Sequence, residues 1–487
     1  MSEPLAILTQ YPDYVVDIGI EVHVQLQTQS KIFCSCPNRV EQPQNSQICQ
    51  ICAGYPGVLP VLNRQVAHAA VAVGLATNCQ IAPVSTFARK HYFYPDLPKN
   101  YQITQHREPI CEHGKIQIKT ETGESRDIRL MRIHIEEDAG KNIHAPAQNI
   151  SLVNLNRTGT PLLEIVTQPD IHSAEEAKQY LKTLRGIVQA LGVCSGNMED
   201  GAFRADTNIS VRKKSATELG IRCELKNINS FKFIGDAVDY EIERQIKLLE
   251  KGGVVRQETR LWDSKNRKTI VMRSKEEAAD YRYFQDPDLP LIEISPEFMQ
   301  QTQRNLPELP AARLTRFVTK LGLTEYEAEV LIEEPAVADY FEAAYVHSQS
   351  KQLINWILRD LLGYLKEAKI SLAECRLTPQ YLAELVDLLD QGVINNHAAK
   401  TIFEQVMATG TAPQVLVEQL GLKQIGSADE LAALAQALLA ENPQNVADYR
   451  AGKTRVMGFF VGQMMQRTQG RGNPQLIQQI LQKLLAE

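Results

Sequence analysis

An α+β fold followed by all-α regions is predicted for this 487-residue chain. Three observations carry the prediction. Short apolar–polar alternations, punctuated by Gly, Pro and Asn, fill roughly the first 290 residues; long Leu/Ala/Glu amphipathic runs follow; and the chain ends in a basic helical stretch. A single core does not serve a chain of this length. Boundaries at Ser295–Pro296 and near Ala412 divide it into a mixed-sheet domain with flanking helices (1–295), an all-α helical domain (296–411) and a small all-α tail domain (412–487).

The elements follow in chain order. In "VVDIGIEVHVQLQ", Ile18, Ile20, Val22, Val24 and Leu26 alternate with Asp17, Gly19, Glu21, His23 and Gln25, the pattern of a half-buried strand. Gln65 to Ala88 reads as a buried helix and a following strand. "LMRIHIEEDAG" repeats the alternation, with Arg132, His134 and Glu136 on its polar side and Glu137 and Asp138 at the strand end. Ser173 followed by Glu176 is a capping box opening a helix that runs to Gly192. "FRADTNISVR" and "IRCELKNINS" alternate again, presenting Arg204, Asp206 and Asn208, then Arg222, Glu224 and Lys226. A second helix begins near Ser230 and stops at Gly252–Gly253. Beyond Ser295, runs such as "KQLINWILRDLLGYLKEA" and "TPQYLAELVDLLDQG" have the spacing of bundle helices.

Composition is that of a globular protein, 44% hydrophobic and 23% charged, and no apolar run is long enough to span a bilayer. The N-terminus shows no secretory signal, so a cytoplasmic protein without membrane partners is expected. Nine cysteines, an odd number, argue against a disulfide framework. The net charge of −6 argues against bulk attraction to nucleic acid, but its distribution is uneven. Arg204 to Lys275 carries seventeen Lys or Arg against ten Asp or Glu, and Pro443 to Glu487 carries six against two.

Several motifs bear on chemistry. "CSCPNRVEQPQNSQICQIC" holds Cys34 and Cys36, then Cys49 and Cys52, two thiolate pairs suited to a tetrahedral structural Zn²⁺ with no open position. The other five cysteines lack such spacing. "ARKHYFYPDLPKNYQITQ" interleaves Arg89, Lys90 and Lys99 with aromatic rings, a combination that grips phosphates and stacks bases. "AGKT" at Ala451 to Thr454 imitates the end of a P-loop, but Ala447 stands where the first Gly belongs and no strand precedes it, so it is rejected. No other nucleotide or hydrolase fingerprint is present. The polar faces of the four alternating strands mix carboxylates, imidazoles and cations. Such a face suits Mg²⁺ with phosphate oxygens, and a solvated salt-bridge lattice shows the same alternation. Alternation does not say whether the four strands are neighbours.

Taken together, "GIEVHVQL", "AGYPGVLPVLN", "RKHYFYPDLPKNYQITQ", "HIEEDAGK", "LNRTGTPLLEIVTQPD", "CELKNINSF" and "DYRYFQDPDLP" resemble the B subunit of the bacterial-type aspartyl/glutamyl-tRNA amidotransferase. "MGFFVGQMMQRTQGRGNPQLIQQIL" is similar to that family's tail domain, so the resemblance spans essentially the whole chain. It implies a cradle domain for the sheet region and a heterotrimer with an amidase-type glutaminase A subunit and a small C subunit. It also implies the reaction: ATP and Mg²⁺ phosphorylate the side-chain carboxylate of misacylated Glu-tRNA(Gln) or Asp-tRNA(Asn), and channelled ammonia displaces phosphate. By the same resemblance Glu21, His23, Glu137, Asp206 and Glu224 form the metal and kinase site, and Lys90 with Arg89 beside it contacts the nucleotide. Strand parity points to Glu136 instead of Glu137; the resemblance points to Glu137, which is taken as the ligand with Glu136 as its rival. Zn²⁺ in the cysteine set is structural. Arg450, Lys453, Arg455, Arg467 and Arg471 of the tail would contact tRNA phosphates. A non-catalytic tRNA-binding scaffold and a zinc-dependent hydrolase are the competing readings.

Overall fold

The computed structural model describes residues 6–39, 42–145, 150–274, 280–424, 428–468 and 470–486. Its first compact unit runs to Arg316 and its second from Phe317 to the end. In the first, a short helix α1 (Ala6–Gln10) leads into β1 (Tyr14–Gln25), α2 (Arg64–Ala76), β2 (Gln80–Ile81), β3 (Val84–Ser85), β4 (Ala88–His91), β5 (Tyr101–Thr104), β6 (Cys111–Lys119) and β7 (Ser125–Glu137). Then come β8 (Lys141–Ala145), β9 (Ile150–Asn154), β10 (Pro161–Thr167), α3 (Ala174–Ala190), β11 (Phe203–Lys213), β12 (Cys223–Ile228) and α4 (Phe231–Glu250). The strands close with β13 (Glu258–Asp263), β14 (Lys268–Ser274), β15 (Phe284–Gln285) and β16 (Ile292–Glu293).

Nine of these strands form one mixed sheet in the order β14-β13-β12-β11-β1-β10-β7-β6-β2. Among the described residues only the β12/β13 pair is parallel. The alternation read in β1 is the alternation observed: Ile18, Ile20, Val22 and Val24 are at most 1% exposed, on the face that carries the core. The apolar sides of α2, α3 and α4 pack with this face in one core cluster. Truncating Ile20 to Ala would cost about 2–5 kcal/mol, the usual range for a buried isoleucine. The opposite face keeps its polar residues. The small sheet β15-β4-β5 packs by way of β5 against β7.

Local signals behave as their chemistry predicts, with one refinement. Ser173 caps α3 by accepting from Glu176 N at 3.1 Å, and Ser230 caps α4 by accepting from Phe233 N at 3.2 Å. The Glu176 carboxylate, however, accepts from His172 N at 2.8 Å and pairs with Arg126, so the capping box is only half reciprocal. "TGTP" is a turn in which Gly159 takes a φ of +77°, a conformation that suits glycine. The helix Pro296–Arg304 belongs to the first unit, where His68 of α2 stacks on Phe298 at 4.0 Å between centroids.

The second unit is helical. Its terminal helices Ala428–Glu441, Val456–Arg467 and Pro474–Ala486 share a small core built on Leu431, Leu438, Phe460, Met464, Ile477 and Leu481. Ala451 to Thr454 falls between two helices, without the preceding strand a P-loop requires. Among the described residues no helix is long and apolar enough to cross a membrane.

Candidate active site and cysteine cluster

The strands whose polar faces drew attention are brought together, with β10 inserted between β1 and β7. Cross-strand register sets rows on the open face. Arg204 lies across from His23, His23 across from Glu164, and Glu164 across from His134. One row away Glu21 lies across from Asp206, and on the other side Gln25 and Glu136 flank Leu162. Period-two geometry alone puts all of these side chains on one face. The register of β11 and β12 shifts between Ala205 and Thr207, so Asp206 sits at an irregularity of the kind that re-aims a side chain.

An open polar pocket of about 300 Å³ stands over this face, at the lower end of ligand-site volumes. His23, Glu136, Glu164, Lys90, Arg204 and Asp206 line it, with Tyr92, Gln102 and Asp138. His23 Nε2 is 3.5 Å from Glu136 Oε1 and 3.6 Å from Glu164 Oε2. One ligand atom from each of these three residues lies within 4.8 Å of the others, close enough to converge on one ion. Their chemistry, two carboxylates and one imidazole with room for water or phosphate oxygens, fits a divalent cation such as Mg²⁺ or Mn²⁺.

The charges are strongly coupled. Burial works against a charged His23, but the hydrogen bond to Glu164 and the negative charges of Glu136 and Glu164 lift its pKa to about 9. Burial and the neighbouring Glu164 push the Glu136 carboxyl up. Burial would raise Glu164 as well, yet His134 and His23 hold it well below the usual range. A cation entering here would take the place of the His23 proton. Burial likewise opposes the charge on Lys90, which the negative charge of Glu136 more than restores. Its ammonium rests over the Tyr281 ring at 4.9 Å, and among the described residues no carboxylate forms an ion pair with it.

The remaining sequence-derived residues are placed as follows. Glu21 accepts from Asn208 Nδ2 at 3.0 Å on the same face, and burial together with Glu164 and Glu224 raises its pKa. Asp206 and Glu224 share Lys226, at 2.5 and 2.9 Å. Glu137 is not in the pocket. It points the other way, 2% exposed, pairing with Lys99 and accepting from Ile103 N at 2.9 Å beside the cysteine loop. The strand-parity reading of Glu136 is therefore the one the fold follows, because β7 stays regular through Glu137 and does not let it re-enter. Arg89 also faces away from the pocket, bound to Asp286 at 2.9 Å and Asp288 at 2.7 Å and stacked on Tyr101. Glu164 and Arg204 join the site without having been singled out as site residues. Glu164 had a signal: it is the lone carboxylate in the apolar strand "PLLEIVT".

The sulfurs of Cys34, Cys36, Cys49 and Cys52 also lie within 4.8 Å of one another. Cys52 accepts from Cys49 N at 3.0 Å, and the fully buried Lys31 ammonium is 3.7 Å from its sulfur. A hydrogen bond from Cys34, against the cost of burial, and the Lys31 charge draw the Cys52 thiol down to about 4. Four sulfurs so gathered fit a tetrahedral metal. In the tail Arg450 donates to Leu485 O, Lys453 pairs with Asp448, Arg467 with Glu441, and Arg471 donates to Gly421 O and Thr468 O. Arg455 is exposed and has no such partner among the described residues.

Known proteins give this arrangement its context. Residues 16–300 match the family described as the GatB/GatE catalytic domain, and residues 339–485 match that described as the GatB domain. The match to a catalytic domain thus falls on the sheet unit. The chain is 50% identical over 476 residues to the B subunit of the aspartyl/glutamyl-tRNA(Asn/Gln) amidotransferase from Myxococcus xanthus, covering 98% of this chain and 99% of that protein. It is 48% identical over 486 residues to the protein of the same name from Synechocystis sp., covering 98% of each. The chain belongs to the family of aspartyl/glutamyl-tRNA(Asn/Gln) amidotransferase B subunits.

Proposed function

We propose that this chain is the kinase and transamidation component of a glutamine-dependent tRNA amidotransferase, working with a glutaminase A subunit and a small C subunit. Its substrates are ATP and misacylated Glu-tRNA(Gln) or Asp-tRNA(Asn). A free carboxylate is a poor acyl donor, since its leaving group would be oxide. Transfer of the γ-phosphoryl group to a side-chain oxygen, with ADP leaving, creates an anhydride; ammonia then adds to its carbonyl carbon and phosphate departs, leaving the amide.

The observation that carries the proposal is the convergence of His23, Glu136 and Glu164 beneath a pocket that also holds Lys90 and Arg204. His23, Glu136 and Glu164 would hold Mg²⁺, with Glu21, Asp206 and Glu224 as a further acidic group on the same face. When bound, Mg²⁺ screens the negative charge of the phosphate oxygens. Lys90, without a paired carboxylate among the described residues, is available to a transferring phosphoryl group. Arg204 lies 3.0 Å from Asp138 at the pocket edge, where it can meet the substrate carboxylate or a phosphate. The cysteine cluster would hold a structural Zn²⁺, and the tail would bind the tRNA body.

The test is phosphate release from ATP on misacylated tRNA, using the assembled enzyme with His23→Ala or Glu21→Ala. Loss of release with glutamine hydrolysis retained is expected. Wild-type turnover in both variants would leave a tRNA-binding scaffold as the better reading.

A further inference from the structure

One buried imidazole on the polar face has no task in the scheme above. His134 lies on β7 across from Glu164, which in turn lies across from His23. The His134 side chain is 4% exposed against 21% for that of His23, and it does not line the pocket. Its Nε2 is 3.1 Å from Glu164 Oε2 and 3.9 Å from Glu136 Oε2. Its Nδ1 is buried without a hydrogen-bond partner among the described residues.

That asymmetry is informative. A histidine that merely fills space gains nothing from an orphaned nitrogen, whose desolvation is a cost. The cost is intelligible where the other nitrogen holds something of use. With no acceptor at Nδ1 and a carboxylate oxygen at Nε2, the proton belongs on Nε2. Glu164 Oε2 is then gripped from the buried side, while Oε1 has no protein donor among the described residues. An Nε2 that donates to Glu164 has no lone pair left for a cation.

We infer that His134 is a positioning residue that donates from Nε2 to Glu164 and fixes that carboxylate as a cation ligand, without binding the cation itself. The inference rests on the proposed metal role of His23, Glu136 and Glu164. Outer hydrogen bonds of this kind set the orientation of first ligands, and their loss costs roughly 10–100-fold in metal affinity.

The experiment uses Mn²⁺ as the probe on the assembled, nucleotide-free enzyme, reading affinity from the free-ion paramagnetic signal and ligation from imidazole nitrogen coupling. His134→Leu should retain cooperative unfolding and lose about 10–100-fold in Mn²⁺ affinity. His134→Gln, whose amide N–H reaches Glu164, should recover part of it. The nitrogen coupling should persist in His134→Gln and disappear in His23→Ala. Unchanged affinity in both His134 variants would overturn the inference. Loss of nitrogen coupling in His134→Gln, with its retention in His23→Ala, would also overturn it by making His134 a ligand. Wild-type affinity in His23→Ala would instead remove the metal reading on which the inference stands. Should His134→Leu fail to fold, His134→Asn replaces it: the shorter amide falls short of Glu164, so equal affinity in the Asn and Gln variants contradicts the inference.

Discussion

Glu136 and Glu137 are adjacent carboxylates with opposite surroundings. Glu136 faces His23 across the pocket, whereas Glu137 is committed to Lys99 and the Ile103 N–H on the other side. The two substitutions should therefore fail differently. Glu136→Gln is expected to weaken Mn²⁺ binding at least tenfold with little loss of stability. Glu137→Gln takes the anion from the half-buried Lys99, and is expected to cost about 1.5–3 kcal/mol in denaturant unfolding while sparing Mn²⁺ affinity. The reverse pattern would show that Glu137 re-enters the site. At this scale the sequence was partly legible. Parity with His134 singled out Glu136, since a regular strand cannot turn consecutive side chains to one face. Glu164 was harder to see because its strand is otherwise apolar, and its worth depends on having an imidazole across from it on each side.

Among the elements, β10 and the cysteine loop show what local pattern conveys and what it omits. Alternation identified β1, β7, β11 and β12, and the caps at Ser173 and Ser230 set the helix starts. Register is a non-local property, so the insertion of β10 between β1 and β7 had no signature in either strand. The cysteine spacing, by contrast, predicted the gathering of four sulfurs because each pair is held by its own turn. If the cluster holds zinc, the purified protein should contain about one Zn²⁺ per chain by elemental analysis. Cys49→Ser should lower that content and the unfolding temperature together. Full stability in a zinc-free Cys49→Ser protein would make the thiols incidental. The loop borders Lys99 and the buried Glu137, so its loosening should expose the Ile103 amide to faster hydrogen exchange.

On the scale of the whole molecule, the change from alternating strands to helices was plain in composition, and the sheet unit and the helical unit both appear. The first unit extends to Arg316 because the helix after Ser295 lays Phe298 and Met299 against the core with α2, a long-range contact that composition does not announce. In the tail, four of five expected tRNA-contacting cations already have protein partners, whereas the exposed Arg455 has none among the described residues. Arg455→Glu should thus weaken tRNA binding most among single tail substitutions, and the salt dependence should become shallower by about one phosphate contact. Equal effects from all five would point to a diffuse field instead of a contact.

The central claim is that the polar face of the nine-stranded sheet is a divalent-cation and ATP site. The most direct measurement is the anomalous signal from crystals of the assembled enzyme soaked with Mn²⁺ and a non-hydrolysable ATP analogue. A peak bonded to His23 Nε2 and to carboxylate oxygens of Glu136 and Glu164 is expected, with analogue phosphates beside Lys90. No peak on this face, or one bonded to Glu137 with His23 free, would contradict it.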